Sequence, residues 1–182
     1  MTRCSTDAVQ VIPIRSRFVW GMSAACVLLL VGAEVSRLGM AWLTFDAASR
    51  RAVAGETDAA IQGLQHAIAL DPGKSLYHHG LGSVYARAFD ASRDKEMFRL
   101  AHAEFKEAIE LNPLDSRLLG LLGQLYVSAA QAPSLSGGLD EQRKSWIRAA
   151  LRVYERAVRL APFSAPYRYE QARLHWMLGE KA

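Results

Sequence analysis

The chain has 182 residues, of which 51% are hydrophobic and 22% are charged, and its formal net charge is +4. This length fits one domain, and the small positive charge is too weak to indicate binding of nucleic acid. Both cysteines, Cys4 and Cys26, lie near the N-terminus, so the rest of the chain has no disulfide, no thiol nucleophile and no cysteine-based metal site.

The first predicted element is an apolar helix near the N-terminus. Residues 18–33, FVWGMSAACVLLLVGA, carry no charge, and the apolar character resumes through Leu43 after Glu34 and Arg37, a pair at helical spacing. A helix of about 20 residues crosses a bilayer. The pattern therefore favours an uncleaved transmembrane anchor over residues 18–40.

A cleavable signal peptide remains the alternative, because Val31, Gly32 and Ala33 are the small residues typical of a cleavage site. Three arginines precede the apolar run, and the positive-inside rule places the tail 1–17 in the cytoplasm. Both interpretations put the remainder of the chain outside the cytoplasm. We expect a single-pass protein of a bacterial inner membrane whose folded domain is periplasmic.

Three similar phrases follow at 59–72, 100–113 and 149–162: AAIQGLQHAIALDP, LAHAEFKEAIELNP and AALRVYERAVRLAP. Their small and large apolar positions are four and then three residues apart, which places them on one stripe of an α-helix. Each phrase stops at a proline, which ends a helix. The phrases predict three amphipathic helices of one kind.

A second kind of helix follows each proline. Residues 75–89 and 116–130 share the pattern Leu-Gly-x-x-Tyr, which puts Gly82 and Gly123 in one column. A glycine inside a helix costs about 1 kcal/mol against alanine, so its recurrence predicts close contact between helices. Residues 165–179 keep the frame with Ala172 in this column, so we expect Ala172, with Tyr169 or His175, to pack on repeat three. Residues 41–55 keep the frame more weakly.

This alternation of two helix types resembles the tetratricopeptide repeat, whose period is 34 residues. The step is 34 residues from Ala48 to Gly82, and it grows to 41 and 49, so we expect the surplus residues to fall between the two helices of repeats two and three. The resemblance implies an all-α solenoid of helix-turn-helix repeats, preceded here by one transmembrane helix. We expect the domain at 41–182, with repeats 41–74, 75–115 and 116–164 and a terminal helix 165–182.

In that family the first helix of each pair lines a concave groove that binds peptides or protein segments. Gly80 and Gly120 are expected to leave room for a bound backbone, and Phe45 and Tyr169 to anchor it. The alternative is that these side chains only pack neighbouring helices. The predicted groove residues are Phe45, Ser49, His79, Gly80, Ser83, Arg117, Gly120, Gln124, Tyr169 and Arg173.

The sequence contains no motif that is typical of an enzyme active site. None of the five histidines has a carboxylate or cysteine at the spacing of metal ligands, and no G-x-S-x-G, phosphate loop or HExxH motif occurs. Family members that clamp the carboxylate tail of chaperones use Lys and Asn at positions that here hold other residues. We expect no enzyme activity, no cofactor, no metal and no chaperone-tail binding.

The predicted function is that of a membrane-anchored, extracytoplasmic scaffold. Its expected partners are a protein segment in the groove and the bilayer through residues 18–40, with no nucleic acid. Trp176 and Met177 of the terminal helix are predicted to stay partly exposed and to contact a second protein or a second copy of the chain. Alternatives are an accessory factor of envelope polysaccharide (O-antigen or exopolysaccharide) polymerisation or ligation, and a small structural subunit of a larger membrane complex.

Overall fold

A computed structural model describes residues 14–136 and 140–179, and the predicted tail 1–17 therefore falls largely outside it. All regular elements in these ranges are helices, eight in number. They are α1 Ile14–Ala54, α2 Thr57–Leu70, α3 Ser75–Ser92, α4 Lys95–Leu111, α5 Ser116–Gln131, α6 Pro133–Ser136, α7 Asp140–Leu160 and α8 Ala165–Leu178.

The chain divides into two compact units, Met1–Gly39 and Met40–Ala182. In the first unit, every described side chain from Cys26 onward is exposed. Glu34 and Arg37 form the expected ion pair, with 2.7 Å between the carboxylate and the guanidinium. Cys26–Ala54 is the one stretch among the described residues that is long and apolar enough to cross a membrane.

The second unit stacks pairs of helices in chain order. α3 pairs with α4, α5 pairs with α7, and α8 packs on α7. The C-terminal part of α1 packs on α2, where a Cβ on Gly63 would come within 2.7 Å of the Cβ of Ala48. Between α1 and α2 and between α3 and α4 the chain reverses within two residues, and left-handed backbone makes these turns possible, with φ of 84° at Gly55 and 57° at Arg93. The all-α repeat architecture expected from the sequence is confirmed.

The surplus of repeats two and three goes mostly into longer helices. α2 has 14 residues, whereas α3 has 18 and α4 has 17, and only Arg93 and Asp94 separate the latter two. In repeat three, α7 reaches 21 residues and the connection before it contains α6. A spacing argument cannot distinguish a longer helix from a loop, because both move the next column by the same amount.

The predicted columns form the core. In the three repeated phrases, the residues of the two alanine columns and of the large apolar column are at most 1% exposed. These phrases form α2, α4 and α7. The glycine column lies opposite the large column, so a Cβ on Gly82 would come within 2.8 Å of Phe105. The buried residues are Ala60, Ala101, Ala150, Leu64, Phe105, Tyr154, Ala67, Ala108 and Ala157.

One expectation about α8 is wrong. We expected Ala172 to pack on repeat three with Tyr169 or His175, but Ala172 is exposed and Tyr169 is 66% exposed. Leu174, which is fully buried, makes the contact instead and joins a cluster with Tyr154 of α7. The reason is that the Gly82 column faces the following helix of its own repeat, and no described helix follows α8.

Candidate functional site

α3 and α5 lie side by side and border an open cavity of about 380 Å³. Its floor is apolar, because Leu118 and Leu121 of α5 and Leu76 of α3 line it. Polar side chains surround this floor. They are His79, Asp115, Arg117 and Gln124, and Tyr167 of α8 lines the cavity as well.

A second cavity of about 270 Å³ continues along the same two helices. It shares Leu121 and Gln124 with the first cavity, so the two form one elongated depression, which we call the groove. Its remaining lining includes Ser83, Arg87 and Asp90 of α3 and Ser128 of α5. An apolar floor with polar sides suits an extended peptide, whose side chains alternate in direction.

The structure brings half of the predicted groove residues together. His79, Arg117, Gly120 and Gln124 line the first cavity, and Ser83 lines the second. These five residues come from α3 and α5, the first helices of repeats two and three. These five residues therefore share one depression, and their role in binding stays a prediction.

Four of the other five predicted residues lie on α1 and α8, and the fifth, Gly80, lies on α3 but lines neither cavity. Phe45 is half-buried and packs on Tyr77 of α3, with ring centroids 5.0 Å apart, and Ser49 is half-buried one helical turn later. Tyr169 is exposed on α8, and Arg173 is bound to Glu170 of the same helix at 2.6 Å. None of these four lines either cavity of the groove.

The space expected beside two glycines is filled. A Cβ on Gly120 would lie 2.9 Å from Cε1 of Tyr167, and Gly120 itself is buried. A Cβ on Gly80 would lie 3.1 Å from both Leu64 and Phe45. These glycines allow helices to approach one another, and they leave no room for a ligand backbone at these two points.

The charges of the first cavity are tied to one another. Arg117 donates from Nη2 to Oδ2 of Asp115 at 2.8 Å, and this hydrogen bond lowers the pKa of Asp115 and raises the pKa of Arg117. The pKa of His79 is lowered by burial and, to a smaller extent, by the nearby Arg117. A lowered pKa keeps His79 neutral near pH 7, so it offers one donor and one acceptor to a ligand.

Sequence reasoning missed the apolar floor and Tyr167. Leu118 and Tyr167 occupy the same frame position as Tyr77, so the large residue in that column was visible in the repeats. The sequence could not predict which residues line the groove. Repeat periodicity does not show which residue of a column is left uncovered by neighbouring helices. The lining of the groove depends on how neighbouring first helices are spaced.

A separate cavity of about 470 Å³ lies between α4 and α7, away from the groove. Phe98, His102 and Trp146 line it, and the rings of Phe98 and Trp146 meet edge to face at 5.1 Å. Nε1 of Trp146 is buried and has no hydrogen-bond partner within the described part of the chain. His102 is held by Tyr126, with 2.9 Å between Nε2 and the phenol oxygen.

No protein-family model matches the sequence, and no curated protein sequence matches it significantly. Solved structures do match. The first tetratricopeptide-repeat domain of Spaghetti (RPAP3), solved with the HSP90 peptide SRMEEVD, gives a TM-score of 0.60 at 17% identity, over 78% of this chain and 98% of that one. The tetratricopeptide-repeat domain of Arabidopsis OM64 gives 0.61 at 11% identity, over 78% and 98%.

A bacterial structure is similar as well. TTC0263, a tetratricopeptide-repeat protein of Thermus thermophilus, gives a TM-score of 0.61 at 18% identity, over 77% of this chain and 66% of that one. At these identities the similarity shows a shared fold and carries no information about a shared ligand.

Proposed function

We propose that this chain, which has the tetratricopeptide-repeat fold, is a non-catalytic scaffold that is anchored in a membrane and binds a protein segment in the groove. The observation that carries the proposal is the elongated groove along α3 and α5, in which two adjoining cavities share Leu121 and Gln124. Its length and its apolar floor fit an extended segment better than a compact small molecule.

The groove offers both apolar contacts and hydrogen-bonding partners to such a segment. Side chains on one side of an extended peptide would cover Leu118 and Leu121, and the other groups of the segment would meet polar partners. His79 and Gln124 each provide a donor and an acceptor, which suits the amides of a peptide backbone. Arg117 is already paired with Asp115, so the first cavity has little free charge for a carboxylate tail.

The partner therefore differs in kind from the acidic peptide bound by the domain of Spaghetti (RPAP3). The positions where chaperone-binding members hold the clamp are taken here by apolar or small residues. Phe45 and Gly80 close on each other, with 3.1 Å between a Cβ on Gly80 and Cε2 of Phe45. We expect a segment that is largely uncharged.

Site-specific photocrosslinking tests the groove. A photoreactive residue in place of Gln124, in the groove, is compared with one in place of Glu107, an exposed position on α4. We expect the first to crosslink one short segment of a partner, and a synthetic peptide of that segment to bind the purified chain. Ser83→Trp should fill the second cavity and weaken this binding. Equal crosslinking at both positions, or binding unaffected by Ser83→Trp, would count against the proposal.

The anchor is proposed for residues 18–40. It is supported by the apolar helix Cys26–Ala54 and by the exposure of Leu28, Leu29 and Leu30, whose side chains are about 70% accessible. Exposed leucines in a row are favourable in lipid and costly in water. An anchored chain should resist carbonate washing with its N-terminus intact, whereas a mature N-terminus at Glu34 would establish the signal peptide.

The orientation is tested by labelling in intact cells. Val53 is 86% exposed in the domain, so Val53→Cys in a chain without Cys4 and Cys26 gives one accessible thiol. We expect an impermeant maleimide to label this thiol once the outer membrane is permeabilised, without lysis of the inner membrane. Labelling only after lysis would place the repeats in the cytoplasm.

We also propose that α8 contacts a second protein or a second copy of the chain. Trp176 is 80% exposed, and Tyr169 and Ala172 are exposed on the same stripe of the helix. Exposed aromatic side chains of this kind mark interaction surfaces. Met177 contributes less than Trp176 because it packs partly on the cluster of Leu174.

A further inference from the structure

The three turns that lead from one repeat to the next lie along one edge of the second unit. We call this edge, Asp71–Lys74, Asn112–Asp115 and Ala161–Ser164, the turn edge. The first two turns line one cavity of about 420 Å³, which includes Lys74 and Asn112. The second turn is linked to the last part of α7, which leads into the third turn, because Arg156 donates to the carbonyl of Pro113 at 3.2 Å.

The second unit also begins at this edge. Ala41, its second residue, is fully buried in a cluster with Ala67, near the end of α2, and with Tyr77, near the start of α3. The first turn lies between these two residues in the chain. The apolar segment that precedes Met40 is therefore joined covalently to the turn edge, and the opposite edge, with Val53, is the length of a helix away.

Exposed apolar side chains concentrate at the turn edge. Phe163 at the third turn is 96% exposed, and Leu114 at the second turn is 78% exposed. Within the described part of the second unit, eight of the eleven exposed large hydrophobic side chains lie at this edge or in the adjoining helical turn. They are Met40, Trp42, Leu43, Leu76, Leu111, Leu114, Leu160 and Phe163.

Basic side chains accompany them. The segment 156–168 around Phe163 carries three arginines and no carboxylate, and Arg156, Arg159 and Arg168 are all exposed. Lys74 and Arg117 add two positive charges at the other turns. Asp71, Glu110 and Asp115 oppose them, and the last of these is already paired with Arg117.

Apolar tips between exposed arginines have the composition of a surface that rests on a bilayer with anionic headgroups. Trp42, which is half exposed at the start of the unit, is the residue type enriched where protein crosses from lipid to water. A turn that only faces water does not require exposed apolar side chains. It also does not require them to lie at the edge where the apolar segment joins the second unit.

We propose that the turn edge is a second membrane-binding site, at which Leu114 and Phe163 enter the headgroup region of the bilayer and the arginines near Phe163 bind anionic lipid. The proposal rests on the proposed anchor, because the anchor brings this edge to the membrane surface. The repeats then lie with their turns on the lipid, and the groove opens alongside the membrane rather than far from it.

An environment-sensitive fluorophore on a single cysteine tests this in the full chain, reconstituted into nanodiscs that contain phosphatidylglycerol. The chain carries Cys4→Ser and Cys26→Ser, and the probe is attached at Phe163→Cys or, as the matched control, at Val53→Cys on the opposite edge. Both positions are highly exposed in the protein itself. We expect a blue-shifted emission and quenching by headgroup-labelled lipid at position 163, and neither at position 53.

A probe attached at a third position leaves both Leu114 and Phe163 free to be substituted. With the probe at Lys74→Cys, the double variant Leu114→Ser and Phe163→Ser should abolish quenching by lipid, and Val53→Ser should leave it unchanged. The double variant should keep the helical circular dichroism spectrum, because both side chains are exposed. Replacing phosphatidylglycerol by phosphatidylcholine should weaken the quenching.

Three results would overturn the proposal, and they are distinguishable. A chain that does not incorporate into nanodiscs rejects the anchor and this site together. An incorporated chain whose probes at 163 and 53 both remain in water rejects the second site alone. A blue shift at 163 without quenching by lipid shows that the edge is covered by protein, such as a second copy of the chain.

Discussion

The ring of Tyr154 lies directly over Gly123, so that a Cβ on this glycine would come within 2.6 Å of Cε2. Tyr154 is 1% exposed, and its hydroxyl donates to the carbonyl of Gly120 at 3.3 Å. The same relationship joins Phe105 to Gly82 in the preceding repeat, at 2.8 Å. In both repeats, a large aromatic side chain of the second helix packs against a glycine of the first helix, where no side chain is in the way.

We predict that Gly123→Ala destabilises the fold. The new methyl group must displace a buried ring, and overpacking of this kind costs about 1–3 kcal/mol, more than the roughly 1 kcal/mol that alanine adds to helix propensity. Urea denaturation should show a lower midpoint. Gly73→Ala is the matched control, since a Cβ there meets only the carboxylate of Asp71 at 4.0 Å. An unchanged midpoint for Gly123→Ala would show that Tyr154 moves without cost.

The repeat columns could be predicted from the sequence because each column repeats one packing contact. Leu64, Phe105 and Tyr154 share a column, and all three are at most 1% exposed. Which helix packs against a given column could not be predicted in the same way. Ala172 belongs to the glycine column, yet its side chain is exposed, because a column predicts a contact only where the partner helix exists.

Part of the lining of the groove could be predicted for a related reason, and its role in binding stays a prediction. Ser83 and Gln124 face it, as the family resemblance implies, since their position in the repeat fixes their direction. Gly120 was misread as open space, because the side chain that fills it, Tyr167, comes from α8, which lies 47 residues further along the chain. Contacts between helices of different repeats depend on the superhelical stacking, and periodicity carries no information about that.

We predict that the domain loses stability as the pH falls below about 6.5, the ordinary pKa of histidine. Burial lowers the pKa of His79 and of His102, and Arg117 and Lys106 respectively lower them further, whereas Asp115 acts in the opposite direction on His79. A folded-state pKa below the unfolded value means that the unfolded chain binds the proton first. The contribution is therefore complete above pH 6.5 and is lost as the pH falls.

Thermal melts from about pH 7.5 down to about pH 5 measure this loss. His102→Gln should flatten the dependence while it keeps a hydrogen-bonding group next to the hydroxyl of Tyr126, which lies 2.9 Å from Nε2 in the native chain. His66→Gln serves as the control, because His66 is exposed on α2. If His102→Gln leaves the slope as unchanged as His66→Gln does, the burial of His102 does not cause the loss.

We predict that Trp146→Phe is nearly neutral. The indole Nε1 is buried and has no partner among the described residues, so its removal sacrifices no hydrogen bond within them. The phenyl ring can keep the contacts with Phe98 and Tyr126, whose centroids lie 5.1 and 5.8 Å from the indole. Trp146→Ala should cost about 3 kcal/mol, the low end for loss of a large aromatic residue, because Trp146 is only half-buried.

Denaturation of both variants under the same conditions measures the difference between them. A loss for Trp146→Phe that equals the loss for Trp146→Ala would contradict the prediction. It would show that the indole makes a contribution that a phenyl ring does not replace.

The last prediction concerns the exposed face of α8, formed by Tyr169, Ala172 and Trp176. In the two preceding repeats, the position of Ala172 holds a glycine, and an aromatic side chain of the next helix covers it. In α8 the same face is uncovered, with Trp176 80% and Tyr169 66% exposed. The face therefore has the shape of a first helix that is ready to receive a second helix carrying an aromatic residue.

Replacing this face by polar side chains should abolish association and preserve the fold. We expect Tyr169→Ser combined with Trp176→Ser to leave the melting temperature unchanged, because neither side chain is buried. Met177 is left intact in this variant, since it packs on the cluster around Leu174 and its loss would confuse stability with binding. Leu174→Ser is the opposite control, because Leu174 is fully buried and its replacement should unfold α8. Analytical ultracentrifugation in mild detergent, alone and with a partner identified by crosslinking, measures the association. A double variant that associates as well as the wild type would assign binding to another surface.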